Sequence, residues 1–527
     1  MNWKWFALVT CSLAGLAGAQ EKPAAPPDHH HPGAPAEAGQ PGPGPKPEKP
    51  ANEREAAEKK PHESVTKHSI TLHGEKIDYT ATAGSLPLKD KEGKTVAEIF
   101  YIAYTKDGVT DTAQRTLTFS FNGGPGSSSV WMHMGLLGPK RVKLQENGFA
   151  VPPPYTLVDN DFSMLDETDL VFIDPVGTGY SRATKPDESK KFWGIKEDAQ
   201  SVGEFIRLYV TRHERWLSPK FLIGESYGTT RAAALSEELL ETHRMSLNGI
   251  MFLSSVLSFQ TIFGGGGNEL PLVLYVPSYT ATAWYHKKLA ADLLAKPLTE
   301  VLKESEAFAA GELNRALLLG DALSNEERAA AVKHYARLTG LSEAYVEQSD
   351  LRVPLQRFAA ELLRDQKLVL GRFDGRYTSL VRSPISEFAE RDPSADAVFA
   401  AFAATFNDYV RKELKYEEDQ SYLILAPVGP WDWGAENKFA NVSDSLADAM
   451  SANPFLKVHV SCGYYDLATP YFAAQYQFHH LQIHPELAKN ITIDHYNAGH
   501  MMYLNLPDLQ KQKQDLSKFM QGAEPAK

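Results

Sequence analysis

One serine stands out by its surroundings. In Phe221-Leu222-Ile223-Gly224-Glu225-Ser226-Tyr227-Gly228-Thr229-Thr230 an apolar run leads into G-x-S-x-G, and an Ala- and Leu-rich stretch follows. Glycines on both sides of Ser226 permit a tight strand-to-helix turn that lifts its hydroxyl above a sheet. The following helix brings its N-terminal amides and positive dipole end close to that serine, favouring negative charge there. A nucleophilic serine also needs a base and an orienting carboxylate, in chain order Ser, then Asp or Glu, then His for this kind of sheet. The strand-like run 458–462 turns out through Gly463-Tyr464-Tyr465-Asp466, and the run 491–496 through Asn497-Ala498-Gly499-His500. Asp466 and His500 therefore follow strand ends, where open α/β sheets gather catalytic groups. Asp494 and His495 are the competing pair, but they lie inside a strand whose alternation commits one to each face. His479, His480 and His484 fall in the intervening helical stretch and read as surface histidines.

A second stretch, Phe119-Ser120-Phe121-Asn122-Gly123-Gly124-Pro125-Gly126-Ser127-Ser128-Ser129, ends a strand in a glycine-rich loop. Such a loop lets backbone amides approach an oxyanion and, with the amide after the nucleophile, completes an oxyanion hole. It contains no G-x-x-x-x-G-K-[ST] pattern, so nucleotide binding has no support.

The elements that must position these groups read as follows. Segments 64–79 and 94–104 alternate polar and apolar residues, as half-exposed strands do. Apolar runs at 116–121, 169–173, 221–223 and 249–253 look like strands buried on both faces, with helical stretches such as 195–211 and 229–243 between them. This rhythm specifies an α/β fold with a mainly parallel sheet. Residues 284–417, rich in Ala, Leu, Glu and Lys at helical period, interrupt it as a helical cap insertion over the sheet. The rhythm resumes at 456–460 and 491–496. Trp431-Asp432-Trp433 reads as core or rim packing near a pocket.

Composition narrows the function. With 527 residues, 43% hydrophobic and 23% charged, the chain can bury a large core. Lys plus Arg is 54 against Asp plus Glu at 66, a net charge of −12, which argues against nucleic acid as the main partner. No cofactor or metal is implied by the motifs. Asp28-His29-His30-His31 reads as a solvated tract rather than a metal site. Lys4, the apolar stretch 6–16 and Ala17-Gly18-Ala19 read as a secretory signal peptide cleaved after Ala19, so the protein is expected to be exported, periplasmic or secreted. Cleavage removes Cys11 and leaves Cys462 alone, without an intrachain disulfide. The expected organisation is thus signal peptide 1–19, disordered Pro- and Ala-rich spacer 20–61 with a charged helical stub at 51–60, sheet core 62–283, helical cap 284–417, sheet core 418–520 and a disordered tail 521–527.

The chain resembles the serine carboxypeptidases, which have the α/β-hydrolase fold. Asn122-Gly123-Gly124-Pro125-Gly126-Ser127-Ser128-Ser129, Asp174-Pro175-Val176-Gly177-Thr178-Gly179-Tyr180-Ser181, Gly224-Glu225-Ser226-Tyr227-Gly228 and Gly499-His500-Met501 carry the resemblance in order. It implies a triad of Ser226, Asp466 and His500, an oxyanion hole of the Gly124 and Tyr227 amides, and binding of a peptide's free C-terminal carboxylate by Asn122 and Glu225. A protonated Glu225 donates to a carboxylate, whereas an ionised one repels it, so the expected activity on peptides favours acidic pH. Leu136 stands where many family members have a second Glu, removing one reason for a raised Glu225 pKa, and Ser127 stands where many have Cys. Two other readings share these residues: an esterase or acyltransferase using the same triad, and an inactive binding protein of the cell envelope.

Overall fold

The computed structural model describes residues 63–265, 267–436 and 438–524. The signal peptide, spacer and helical stub expected at 1–61 lie outside the described residues. Nine strands build the main sheet: β1 (Glu63–Leu72), β2 (Glu75–Lys89), β3 (Thr95–Lys106), β4 (Thr116–Phe121), β5 (Thr168–Ile173), β6 (Lys220–Glu225), β7 (Gly249–Leu253), β8 (Lys457–Gly463) and β9 (Ile491–Tyr496). Their spatial order is β1-β2-β3-β5-β4-β6-β7-β8-β9, with a two-residue strand at Arg182–Ala183 beside β3. From β5 to β9 every pairing is parallel, whereas β1, β2, β3 and β5 pair antiparallel.

The difference in pairing explains the difference in sequence texture. Strands β4 to β7 are buried throughout, because the crossover helices of parallel strands cover both sheet faces. Successive residues go to opposite cores: Leu222, Ile250 and Phe252 to one, Phe221, Ile223 and Met251 to the other. Strand β1 alternates because its outer face meets solvent. The segment 64–79, expected as one strand, is two. His73 and Gly74 both have positive φ and close a two-residue hairpin turn between β1 and β2. The missed signal is a phase slip: the buried positions are Ile70 and Leu72 before the turn, and Ile77 and Tyr79 after it.

Helices α1 (Ile195–Arg212) and α2 (Tyr227–Glu241) pack on the first sheet face. Helices α3 (Val276–Tyr285), α4 (Leu298–Phe308) and α5 (Asn325–Thr339) form a third apolar cluster of their own around Tyr279, Val301, Phe308 and Tyr335. A Ser324–Glu327 capping box opens α5 and left-handed Gly340 closes it. Helix α6 (Pro393–Lys412) instead lays Phe402, Phe406 and Tyr409 into the second sheet face. The helical region between β7 and β8 starts at Leu270, earlier than expected, and contains a small hairpin of Leu368–Leu370 with Thr378–Leu380. Helices α7 (Ser443–Ala452) and α8 (Tyr471–His479) return to the first face, and α9 (Leu506–Ala523) covers the second. Helix α9 corrects the expectation of a disordered tail from 521, for it runs through Ala523, and Thr116 donates to the Glu524 carboxylate at 2.8 Å. No helix among the described residues is long and apolar enough to cross a membrane.

Candidate active site

The carboxyl ends of β4, β6, β8 and β9 meet at one place, and each delivers one part of the site. Ser226 sits between β6 and α2 with φ 59° and ψ −130°, a conformation that L-residues rarely adopt. The turn is sterically closed: a Cβ at Gly224 would stand 2.2 Å from the Gly228 carbonyl oxygen, and one at Gly228 would stand 2.8 Å from that of Phe121. Any larger residue at either position would open the elbow. The Ser226 N–H donates to Leu253 O on β7 at 3.0 Å, and its carbonyl accepts from Thr229 N at 2.8 Å, so the strained residue is tied on both sides.

Asp466 and His500 lie side by side beyond β8 and β9. The His500 Nδ1 to Asp466 Oδ2 distance is 2.8 Å, and both side chains are buried. Because an ionised carboxylate only accepts, Nδ1 carries the hydrogen and the neutral ring presents Nε2 as its base nitrogen. Three further donors converge on Asp466: Ala468 N at 2.7 Å and Thr469 N at 2.9 Å to Oδ1, and Thr469 Oγ1 at 2.8 Å to Oδ2. Burial opposes charge on His500, but the adjacent Asp466 carboxylate and its hydrogen bond prevail and raise the imidazole pKa above its ordinary value. His500 is held from the rear as well. Its N–H donates to Phe373 O at 2.6 Å, Ser254 Oγ donates to its carbonyl at 2.7 Å, and the Phe373 ring stacks on the imidazole at 5.1 Å. His500 Nε2 makes no hydrogen bond with any described residue, Ser226 Oγ included. In free enzymes such bonds are commonly long and tighten once substrate arrives.

Asp494 and His495 are not brought to this place. His495 stacks on Tyr464 and contacts Gln475, and Asp494 lies 3.7 Å from His459. His479, His480 and His484 are exposed.

The glycine loop after β4 packs on the elbow. A Cβ at Gly123 would stand 2.5 Å from Tyr227 N, so the loop and the helix start touch backbone to backbone. A buried ion pair fixes their spacing. Arg231 on α2 donates through Nε to Asp198 of α1 at 2.7 Å and through Nη1 to the Asn122 carbonyl at 2.6 Å, while Tyr227 OH donates to the same Asp198 at 3.2 Å. Asp174, at the end of β5, accepts from Ser129 N and Ser129 Oγ at 2.8 and 2.9 Å and thereby joins two of the sequence motifs. Burial pushes the Asp174 carboxyl up to about 6, against the hydrogen bonds from Ser129. Trp431 and Trp433 pack edge-on against Tyr227 at 5.3 and 6.1 Å.

Glu225 is 3% exposed, and its carboxyl receives hydrogen bonds from Asn122 Nδ2 and Tyr503 OH. Burial pushes its pKa up to about 7, although His500 and the two hydrogen bonds act in the other direction. Leu136, which the resemblance sets where many relatives have a second Glu, is itself buried, and burial rather than a neighbouring carboxyl is the main cause that raises Glu225. Sequence reasoning missed Thr469, Tyr503, Phe373 and the Asp198–Arg231 pair. The spacing of Asp466 and Thr469, just before the α8 N-terminus, was a usable signal for one of them. The others come from elements far apart in the chain and leave no local pattern.

A largely parallel sheet covered by helices, with a sharp strand-serine-helix turn at its carboxyl edge, defines the α/β-hydrolase fold. The family model described as serine carboxypeptidase matches residues 74–501, and the chain belongs to that family. Among curated proteins it is similar to serine carboxypeptidase-like 45 of Arabidopsis thaliana, 27% identical over 212 residues that cover 38% of this chain and 42% of that protein. It is also similar to pheromone-processing carboxypeptidase KEX1 of Saccharomyces cerevisiae, 29% identical over 175 residues, 31% of this chain and 23% of that one. The chain thus spans less than half the length of these relatives. Among solved structures, Kex1(delta)p, a prohormone-processing carboxypeptidase from Saccharomyces cerevisiae, aligns over 84% of this chain and 91% of its own with 17% identity and a TM-score of 0.49.

Proposed function

We propose that this protein is a serine carboxypeptidase that removes C-terminal residues from peptides through an acyl-enzyme on Ser226. In this reading His500 Nε2 takes the Ser226 proton as the oxygen attacks the scissile carbonyl, and Asp466 holds the imidazole in the tautomer that leaves Nε2 free. The amides of Gly124 and Tyr227 receive the developing oxyanion, each contributing about 3 to 4 kcal/mol to barrier lowering. His500 then returns the proton to the departing amine, and water repeats the sequence on the acyl-enzyme.

The observation that carries the exopeptidase reading is the place of Glu225, whose buried carboxyl stands one residue before Ser226 and accepts from Asn122. A carboxyl held to about 7 by burial, one residue from the nucleophile and bonded to Asn122, is a neutral donor below that pH. With Asn122 it suits the terminal carboxylate of a substrate. Binding then weakens as pH rises through 7, because ionised Glu225 repels that carboxylate. Leu136 favours a second reading, ester hydrolysis or acyl transfer with the same triad, in which the terminal carboxylate is not required. The helices around Tyr279 and Tyr335 are proposed to cap the peptide site. The protein is proposed to be exported, on the strength of the leader-like residues 1–19.

The test uses the full chain and its Ser226→Ala variant with a peptide whose C-terminus is either free or amidated, from acidic to mildly alkaline pH. Stepwise release of single residues from the free acid alone, lost in Ser226→Ala, is the expected result. Internal cleavage or equal action on the amide removes the exopeptidase reading.

A further inference from the structure

Of the two hydrogen-bond partners of Glu225, only Asn122 belongs to a motif. The other is Tyr503, whose hydroxyl lies 2.9 Å from Oε2 and 3.2 Å from Oε1. The Tyr503 ring is 2% exposed. It has room because residue 135 is glycine: a Cβ there would stand 2.6 Å from Tyr503 Cε2 and 2.8 Å from Cδ2. Gly135 immediately precedes Leu136, the position that the resemblance sets against a second Glu. The same turn of chain that withholds the second carboxyl therefore admits a phenol.

Resting on the carboxypeptidase reading for its kinetic consequence, we propose that Tyr503 is the positioning residue of Glu225, taking the place of the absent second carboxyl and setting the pH range in which a peptide's terminal carboxylate is bound. The two solutions differ in sign. A second carboxyl beside the first disfavours its ionisation through like-charge repulsion, whereas a phenol donates to the ionised form and favours it. The charged groups facing Glu225 come from the turns after β9 and β8: His500 favours its ionisation and Asp466 opposes it. Tyr503 moderates a rise that burial drives, and it fixes the carboxyl against Asn122.

Tyr503→Phe keeps the ring and removes only the hydroxyl. Carbon-13 NMR of protein labelled at the glutamate carboxyl carbons, with Glu225→Gln to assign the resonance, follows the titration without relying on activity. The same variants are then run for KM against pH with a free-acid peptide. The expected result is a Glu225 midpoint about one pH unit higher in Tyr503→Phe, matched by an equal alkaline displacement of the rise in KM, with kcat changed less than KM. Gly135→Ala, which crowds the ring, is expected to move the midpoint as well, by less. An unmoved midpoint in Tyr503→Phe overturns the proposal whatever the kinetics. A displaced midpoint with KM indifferent to the terminal carboxylate overturns its substrate half and the exopeptidase reading, while the Tyr503–Glu225 coupling stands.

Discussion

Asp466 and Glu225 are both buried carboxyls at the carboxyl edge of one sheet, yet their surroundings differ. Asp466 receives four hydrogen bonds, two from backbone amides and two from the side chains of Thr469 and His500. Glu225 receives one from Asn122 and one shared by its two oxygens from Tyr503, and burial pushes it up to about 7. The first is furnished as an acceptor that orients a ring. The second is furnished so that its proton stays within reach of neutral pH. Residue type alone does not assign a carboxyl its work; the number of donors aimed at it does.

The comparison breaks altogether if the serine between these groups is idle. Ser226→Ala is expected to lower kcat by about 10^6-fold on any substrate, measured as initial rates against the residual background. Asp466→Asn preserves shape but reverses the bond that fixes the imidazole tautomer, and a loss of about 10^4-fold in kcat is expected with KM nearly constant. A fall of tenfold or less would show that Asp466 does not orient His500.

Glu225→Gln probes the other carboxyl through pH. In the native chain KM for a free-acid peptide is expected to rise about tenfold per pH unit above 7, and in the variant to stay flat. Stability should respond too. A carboxyl whose folded pKa lies above its unfolded value contributes stability that is full below about 4.5 and is lost as pH rises through about 7. Urea unfolding of the variant should therefore lack up to about 3 kcal/mol of that decline. The smallest effect expected is that of Thr469→Val, which removes one of the four donors to Asp466. It should cost about tenfold in kcat/KM, well short of Asp466→Asn.

The strand ends and sharp turns were legible because their causes are local. Apolar runs mark β4 to β7, and Gly224 and Gly228 flank Ser226 where backbone must touch backbone. The 2.8 Å approach of Asp466 and His500 could be anticipated from turns alone, since the sheet dictates where strands end. Tyr503 could not, because its meeting with Glu225 depends on a space left by Gly135, three separate segments away from any common pattern. Arg231 and Asp198 are two helix residues among many, and only packing reveals that Asp198 holds Arg231 where it donates to the Asn122 carbonyl. The slip of phase at His73-Gly74 is legible only when parity is followed, for an alternating stretch otherwise looks continuous.

The placement of β8 and β9 beyond the long helical region has a bearing on biosynthesis. The hydroxyl of residue 226 and the imidazole of residue 500 lie 274 positions apart in the chain. A ribosome must therefore make the whole stretch from 226 to 500 before the parts can meet, and closing so long a loop is slow. Such an order of assembly keeps residue 226 and its candidate base apart for as long as the intervening helical region is being made.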